Sequence, residues 1–86
     1  MAAPTVVMYT TNWCPYCERA RKLLVAKGVA FDEISVESQP GKREEMRARS
    51  NRNTVPQIFI GEQHVGGSEE LAELERAGKL DALLGK

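Results

Sequence analysis

Cys14 and Cys17 are the two thiols of an 86-residue chain, and Pro15 and Tyr16 stand between them. Residues three apart lie one above the other on a helix turn, within reach of a disulfide bond when the first sits at the helix mouth. A bridge across so short a gap removes almost no loop entropy from the unfolded chain, so the pair suits chemistry better than stapling. Exchange chemistry runs through the thiolate, and an ordinary cysteine of pKa about 8.5 is mostly protonated at neutral pH. With Cys14 at the N-cap and Pro15 at the first helical position, the Cys14 sulfur would face the unpaired amides of Tyr16 and Cys17 and the positive end of the helix dipole. Cys14 is therefore assigned as the nucleophile. Cys17, one turn in and less exposed, is assigned as the thiol that attacks a mixed disulfide formed at Cys14.

A Cys-x-x-Cys pair is also half of a zinc site. A structural tetrahedral site needs four ligands, and the single His64 is the other good candidate in the sequence. A site shared between two chains is the form such chemistry would have to take, and no metal is expected. His64 itself reads as an ordinary strand residue. Trp13, beside the nucleophile, fits either a ring packed under the loop or an exposed rim for partner proteins.

Two further constellations accompany the dithiol. In Thr54-Val55-Pro56, the proline cannot donate a ladder hydrogen bond and pushes the residue before it toward an extended form. Val55 is thereby left able to pair with an extended peptide laid antiparallel beside it; a strand start with no other duty explains the same residues. In Gly66-Gly67-Ser68-Glu69-Glu70, glycines before a helix let backbone amides converge on an anion, and Ser68 is a good cap. Glu69 would repel a simple anion but suits a zwitterionic terminus, carboxylate on the amides and ammonium on the acid. Plain helix capping, with acids in the first turn as helix starts commonly have, is the favoured account of this stretch on its residues alone.

The elements that must hold these groups follow from the pattern. Thr5 to Thr10 reads as a strand without clean alternation, as expected of a central strand covered on both faces. From Pro15 the pattern turns helical through Ala20, Leu23, Leu24 and Lys27, with Gly28 as C′ residue and Glu18–Lys22 as an outer i,i+4 pair. Ala30 to Val36 reads as a second strand, which makes a right-handed parallel crossover. After the turn at Gln39-Pro40-Gly41, Lys42 to Arg49 is a short helix with a thin apolar stripe around Met46 and Ala48, broken by Asn51-Arg52-Asn53. Pro56 opens a strand at Gln57–Ile60, and Gly61-Glu62 turns into Gln63–Val65. A third helix follows with Leu71, Leu74 and Ala77 on its buried side, then Gly78 and a last helical piece over Leu80–Leu84. The order predicts an α/β fold with one mixed four-stranded sheet and helices on its faces.

Length limits the chain to a single domain over residues 1–86. The formal charge is zero, which gives no bias toward nucleic acid. Met1 to Thr11 lacks a basic start and a signal-length apolar stretch, and no segment approaches a membrane span, so a cytoplasmic protein is expected. Sparse cysteines fit a reducing compartment. Charge is unevenly placed, with bases over Arg19–Lys27 and Lys42–Arg52 and acids at Glu62, Glu69, Glu70, Glu73 and Glu75.

Taken together and in this order, Cys14-Pro15-Tyr16-Cys17, Thr54-Val55-Pro56, Gln57-Ile58-Phe59-Ile60 and Val65-Gly66-Gly67 resemble the glutaredoxin family, in its small bacterial dithiol form. The resemblance spans nearly the whole chain. It implies a thioredoxin fold, a cis bond before Pro56 and glutathione as reducing co-substrate. It also implies that Cys14 and Tyr16 contact glutathione, that Val55 pairs with its cysteinyl backbone within a surface shared by Thr54, Pro56 and Gly67, and that Ser68 and Glu69 hold its γ-glutamyl end. Arg52 would receive the glycyl carboxylate. Where the family often has a lysine three residues before the nucleophile, this chain has Thr11, so more thiolate support falls to the helix terminus and Arg52. Where it often has a cysteine and two aspartates after the glycines, this chain has Ser68, Glu69 and Glu70.

The expected function is a glutathione-dependent thiol-disulfide oxidoreductase acting on protein disulfides and glutathione mixed disulfides. A monomer is expected, with disulfide-bearing or glutathionylated proteins as partners, ribonucleotide reductase among those compatible. An iron-sulfur cluster shared between two chains is the alternative, and Pro15 argues against it. A thioredoxin proper, reduced by a flavoenzyme, is disfavoured by the Pro-Tyr pair and by the glycine-led site.

Overall fold

The structure is a computed structural model describing residues 4–86. Residues 1–3, part of the stretch read above for export signals, lie outside the described residues. The elements are β1 (Val6–Thr10), α1 (Pro15–Ala26), β2 (Asp32–Ser35), α2 (Lys42–Ser50), β3 (Gln57–Ile60), β4 (Gln63–Gly66), α3 (Ser68–Arg76) and α4 (Leu80–Leu83). The sheet runs β2-β1-β3-β4. β1 pairs parallel with β2 and antiparallel with β3, and β3 pairs antiparallel with β4. This is the expected thioredoxin-type mixed sheet with flanking helices.

Both central strands are covered on two sides, which is why they do not alternate in sequence. On one face Val6, Met8, Ile58 and Ile60 pack with Ala20 and Leu24 of α1, Leu71 of α3, and Leu80 and Leu84. On the other, Tyr9 and Phe59 pack with Val36 and with Met46 of α2. Each fully buried apolar side chain contributes roughly 1.5–3 kcal/mol of transfer free energy. The second face is poorer in such groups, since α2 buries just Met46 and Ser50. Polar contacts compensate there. The Tyr9 hydroxyl donates to Glu45 Oε2 (2.5 Å) and accepts from Arg49 (2.7 Å), and the Arg49 guanidinium lies 4.1 Å from the Phe59 ring centre.

Several local expectations shift. β1 starts at Val6, while Thr5 contributes a carbonyl to Gly61 N–H (2.7 Å). β2 is shorter than Ala30–Val36, although Val36 N–H still donates to Thr10 O (2.8 Å). Glu18 pairs with Arg21 at 2.8 Å, not with Lys22, because Arg21 is held in place by a bidentate contact to Glu33 (2.8 and 2.7 Å). Ala77 is exposed, lying at the C-cap of α3 where the helix leaves the core. Gly28 adopts φ 72°, as a C′ residue should, and its N–H donates to Val25 O (2.9 Å).

Candidate functional site

The dithiol lies where β1 runs into α1. The preceding loop is pinned from outside the motif: Asn12 N–H donates to Glu37 Oε1 (2.7 Å), and Ser35 Oγ donates to Asn12 Oδ1 (3.0 Å). Cys14 is the N-cap of α1 with extended backbone (φ −153°, ψ 104°), and Pro15 follows at the first helical position. The Cys17 N–H donates to Cys14 Sγ at 3.1 Å. The sulfur thus takes the place an Asp or Ser oxygen takes in ordinary caps, at the end of the helix that favours negative charge.

The two thiols are placed differently. Cys14 is partly exposed, whereas Cys17 is fully buried. Burial, together with the hydrogen bond to Cys14, pushes the Cys17 thiol up to about 12, so it stays protonated at neutral pH. Tyr16 and Trp13 flank the pair, 54% and 85% exposed, with Arg19 over the Tyr16 ring at 5.5 Å. Of the two placements open to Trp13, the rim is the one observed. A recess of about 250 Å³ opens beside Cys14 between Asn12, Trp13, Glu18 and Arg21. A larger one, about 530 Å³, lies at the other end of the sheet between Pro4, Val29 and Leu84, far from either thiol.

The loop before β3 forms the second wall. The Val55–Pro56 peptide bond is cis, and the Val55 carbonyl oxygen is 3.9 Å from Cys14 Sγ. Pro56 is buried, Val55 half-buried and Thr54 exposed. The third wall is the start of α3. A Cβ on Gly67 would meet the Pro56 carbonyl oxygen at 3.5 Å, an ordinary contact, and Glu70 Oε1 at 3.3 Å, a tight one, so the start of α3 stands within contact distance of the proline. Gly66, at φ 117°, has less room, since a Cβ would fall 2.7 Å from Glu70 Oε1.

Here the structure corrects one expectation and adds a residue. Gly67, not Ser68, is the N-cap of α3; Ser68 is the first helical residue and Glu69 the exposed second. Glu70 turns back so that its Oε1 accepts from Gly67 N–H (2.6 Å) and lies 3.3 Å from Arg52. The Gly67 amide, foremost, and the Arg52 guanidinium hold the Glu70 carboxyl below the usual glutamate range. Arg52 is thus paired across the cleft with an acid that carried no role in the sequence reading. A cap read one residue late hid it: counted from Gly67, Glu70 is the third helical residue, and its carboxylate reaching back to the N-cap amide is the half of a capping box that a glycine cap allows. Among the described residues, no group of three or more His, Cys, Asp or Glu is placed to hold a metal.

The dithiol, the Thr54–Pro56 loop and the α3 start therefore converge, with Tyr16 and Arg52 at the margins. Comparison with known proteins agrees. A family model described as Glutaredoxin matches residues 6–65. A curated "Glutaredoxin" of Pseudomonas aeruginosa is 59% identical over 81 residues, 94% of this chain and 96% of that protein. The solution structure of a glutaredoxin from Brucella melitensis superposes with a TM-score of 0.85 at 52% identity, covering 100% of this chain and 96% of that one. A crystal structure of a buckwheat glutaredoxin-glutathione complex superposes with a TM-score of 0.87 at 30% identity, over 96% and 77% of the two chains.

Proposed function

The chain belongs to the glutaredoxin family and is a thiol-disulfide oxidoreductase, and from that premise we propose that Cys14 is its attacking sulfur and glutathione its electron donor. The observation that carries this reading is Cys14 Sγ at the N-cap of α1, accepting from Cys17 N–H at 3.1 Å and standing 3.9 Å from the Val55 carbonyl. Glutathione is a co-substrate of the family, and the buckwheat relative was crystallised with it.

In the first step the Cys14 thiolate attacks the glutathionyl sulfur of a mixed disulfide. The S–S bond breaks, and the substrate thiolate leaves and takes up a proton. A second glutathione, as thiolate, attacks the glutathionyl sulfur on Cys14. Oxidised glutathione leaves and the Cys14 thiolate is restored. For a protein disulfide, Cys17 gives up its proton and attacks the adduct at Cys14, releasing the reduced protein and leaving a Cys14–Cys17 bridge for glutathione to reduce.

During these steps the tripeptide would lie along Val55 with Thr54 and Pro56, against Tyr16. Its γ-glutamyl end would meet Gly67, Ser68 and Glu69, and its glycyl carboxylate would meet Arg52. For Arg52 to serve, its contact with Glu70 must be shared or exchanged. We take the chain as one glutaredoxin domain over 1–86, a monomer in a reducing cytoplasm, acting on disulfide-bearing or glutathionylated proteins, with ribonucleotide reductase as one candidate. Supplying reduced glutathione with its reductase, and separately a thioredoxin-type flavoenzyme system, tests the donor. Turnover on the first and not the second is expected, and the reverse would overturn the assignment.

A further inference from the structure

Gln57 opens β3 directly after Pro56, and its side chain is fully buried. A primary amide so placed must find partners for both ends, because an unpaired buried polar group is costly. Its partners lie in opposite directions. Nε2 donates to Thr54 Oγ1 at 3.1 Å, and Oε1 lies 2.7 Å from His64 Nε2. An amide oxygen can only accept, so the His64 ring carries its proton on Nε2. That ring is seated against Phe59, with centroids 4.9 Å apart. Burial first, then Arg52, hold the ring's pKa below the ordinary histidine value against the opposing pull of Glu70.

We propose that Gln57 and His64 are positioning residues for the disulfide substrate, acting through Thr54 on the backbone edge at Val55. The inference rests on the docking reading given above. Strand addition works through backbone hydrogen bonds, which weaken steeply once their angle is lost, so the edge must be set before the ligand arrives. Thr54 is exposed, and the buried amide of Gln57 ties its hydroxyl to the sheet. His64 keeps that amide from turning over. With its oxygen held by the ring, the amide presents N–H to Thr54, whose own hydroxyl hydrogen is left to donate outward to the docked peptide. A core glutamine and a strand histidine, neither touching the substrate, thus select both the angle of the Val55 edge and the polarity of the neighbouring hydroxyl.

The test uses Gln57→Leu and His64→Phe in the full chain, assayed on a glutathionylated peptide. Both should raise KM about 3- to 10-fold, the loss of one net hydrogen bond, with kcat unchanged. His64→Gln, which retains an N–H donor, should restore KM. In a Thr54→Val background neither variant should have a further effect. Unchanged KM, or an equal rise with Thr54 already replaced, overturns the inference. Should Gln57→Leu fail to fold, His64→Phe carries the same test on a half-buried ring. Amide exchange separates this from the docking reading: in a Cys17→Ser chain glutathionylated at Cys14, exchange at Val55 should slow. If it does not, the docking reading itself fails.

Discussion

Two helix starts face the same cleft, and they use their free amides in different ways. At α1 a first-turn N–H is taken by Cys14 Sγ at 3.1 Å, a cap that can leave, react and return. At α3 the N-cap amide is taken by Glu70 Oε1 at 2.6 Å, and a guanidinium stands behind it. The first end makes its cap part of the chemistry. The second fills the same electrostatic need from within, so that any ligand carboxylate must look to the amides of Ser68 and Glu69 beyond it. One terminus is reactive because its cap is a sulfur; the other is fixed because its cap is a carboxylate on its own third residue.

The largest effect should come from the reactive end. Cys14→Ser is expected to drop reduction of glutathione mixed disulfides to the uncatalysed level in a coupled reductase assay; full activity in that variant would sink the assignment. Next, Cys17→Ser should keep most of that activity while losing reduction of protein disulfides that needs both thiols. The two thiols should also separate on alkylation. One equivalent of iodoacetamide near neutral pH should modify Cys14 alone, because the Cys17 thiol is buried and pushed up to about 12. Peptide mass mapping reads this out, and equal labelling would remove the asymmetry described above.

The fixed end should answer more weakly. Glu70→Ala removes a capping contact and is expected to cost about 1 kcal/mol, read from a denaturant midpoint. Glu70→Gln, which can still accept from Gly67, should cost less. Its pH dependence has a definite sign. Because the folded carboxyl is held below its ordinary value, its ionisation stabilises the fold. That contribution is complete above about pH 4.3 and is lost as pH falls through the lower folded value. The stability difference between the native chain and Glu70→Gln should therefore shrink on acidification below that point; a difference that is flat with pH would mean that Glu70 is not held by charge.

Much of this was legible in the residues. The missing alternation in Val6–Thr10 already meant a strand with two covered faces, and Pro15 after Cys14 already meant a helix start with a sulfur at its mouth. Other features depend on distances that no short stretch contains. Ser68 is the better capping residue type, yet Gly67 takes the position with the Glu70 carboxylate on its amide, and the shift by one residue decides which of two adjacent acids makes that contact. The link between Gln57 and His64 requires the β3–β4 register, which is irregular between Ile58 and Phe59. The Glu18 ion pair went to Arg21 because Glu33, on another strand, had already oriented that side chain.

Trp13 is the sole tryptophan of the chain and stands next to Cys14 with 85% of its surface open. Its indole emission therefore samples water, the neighbouring sulfur and whatever is attached to that sulfur. Formation and release of an adduct on Cys14 should be followed by fluorescence in single turnovers, with no added label and no background from a second indole. The molecule carries its own optical gauge one residue from the atom that reacts.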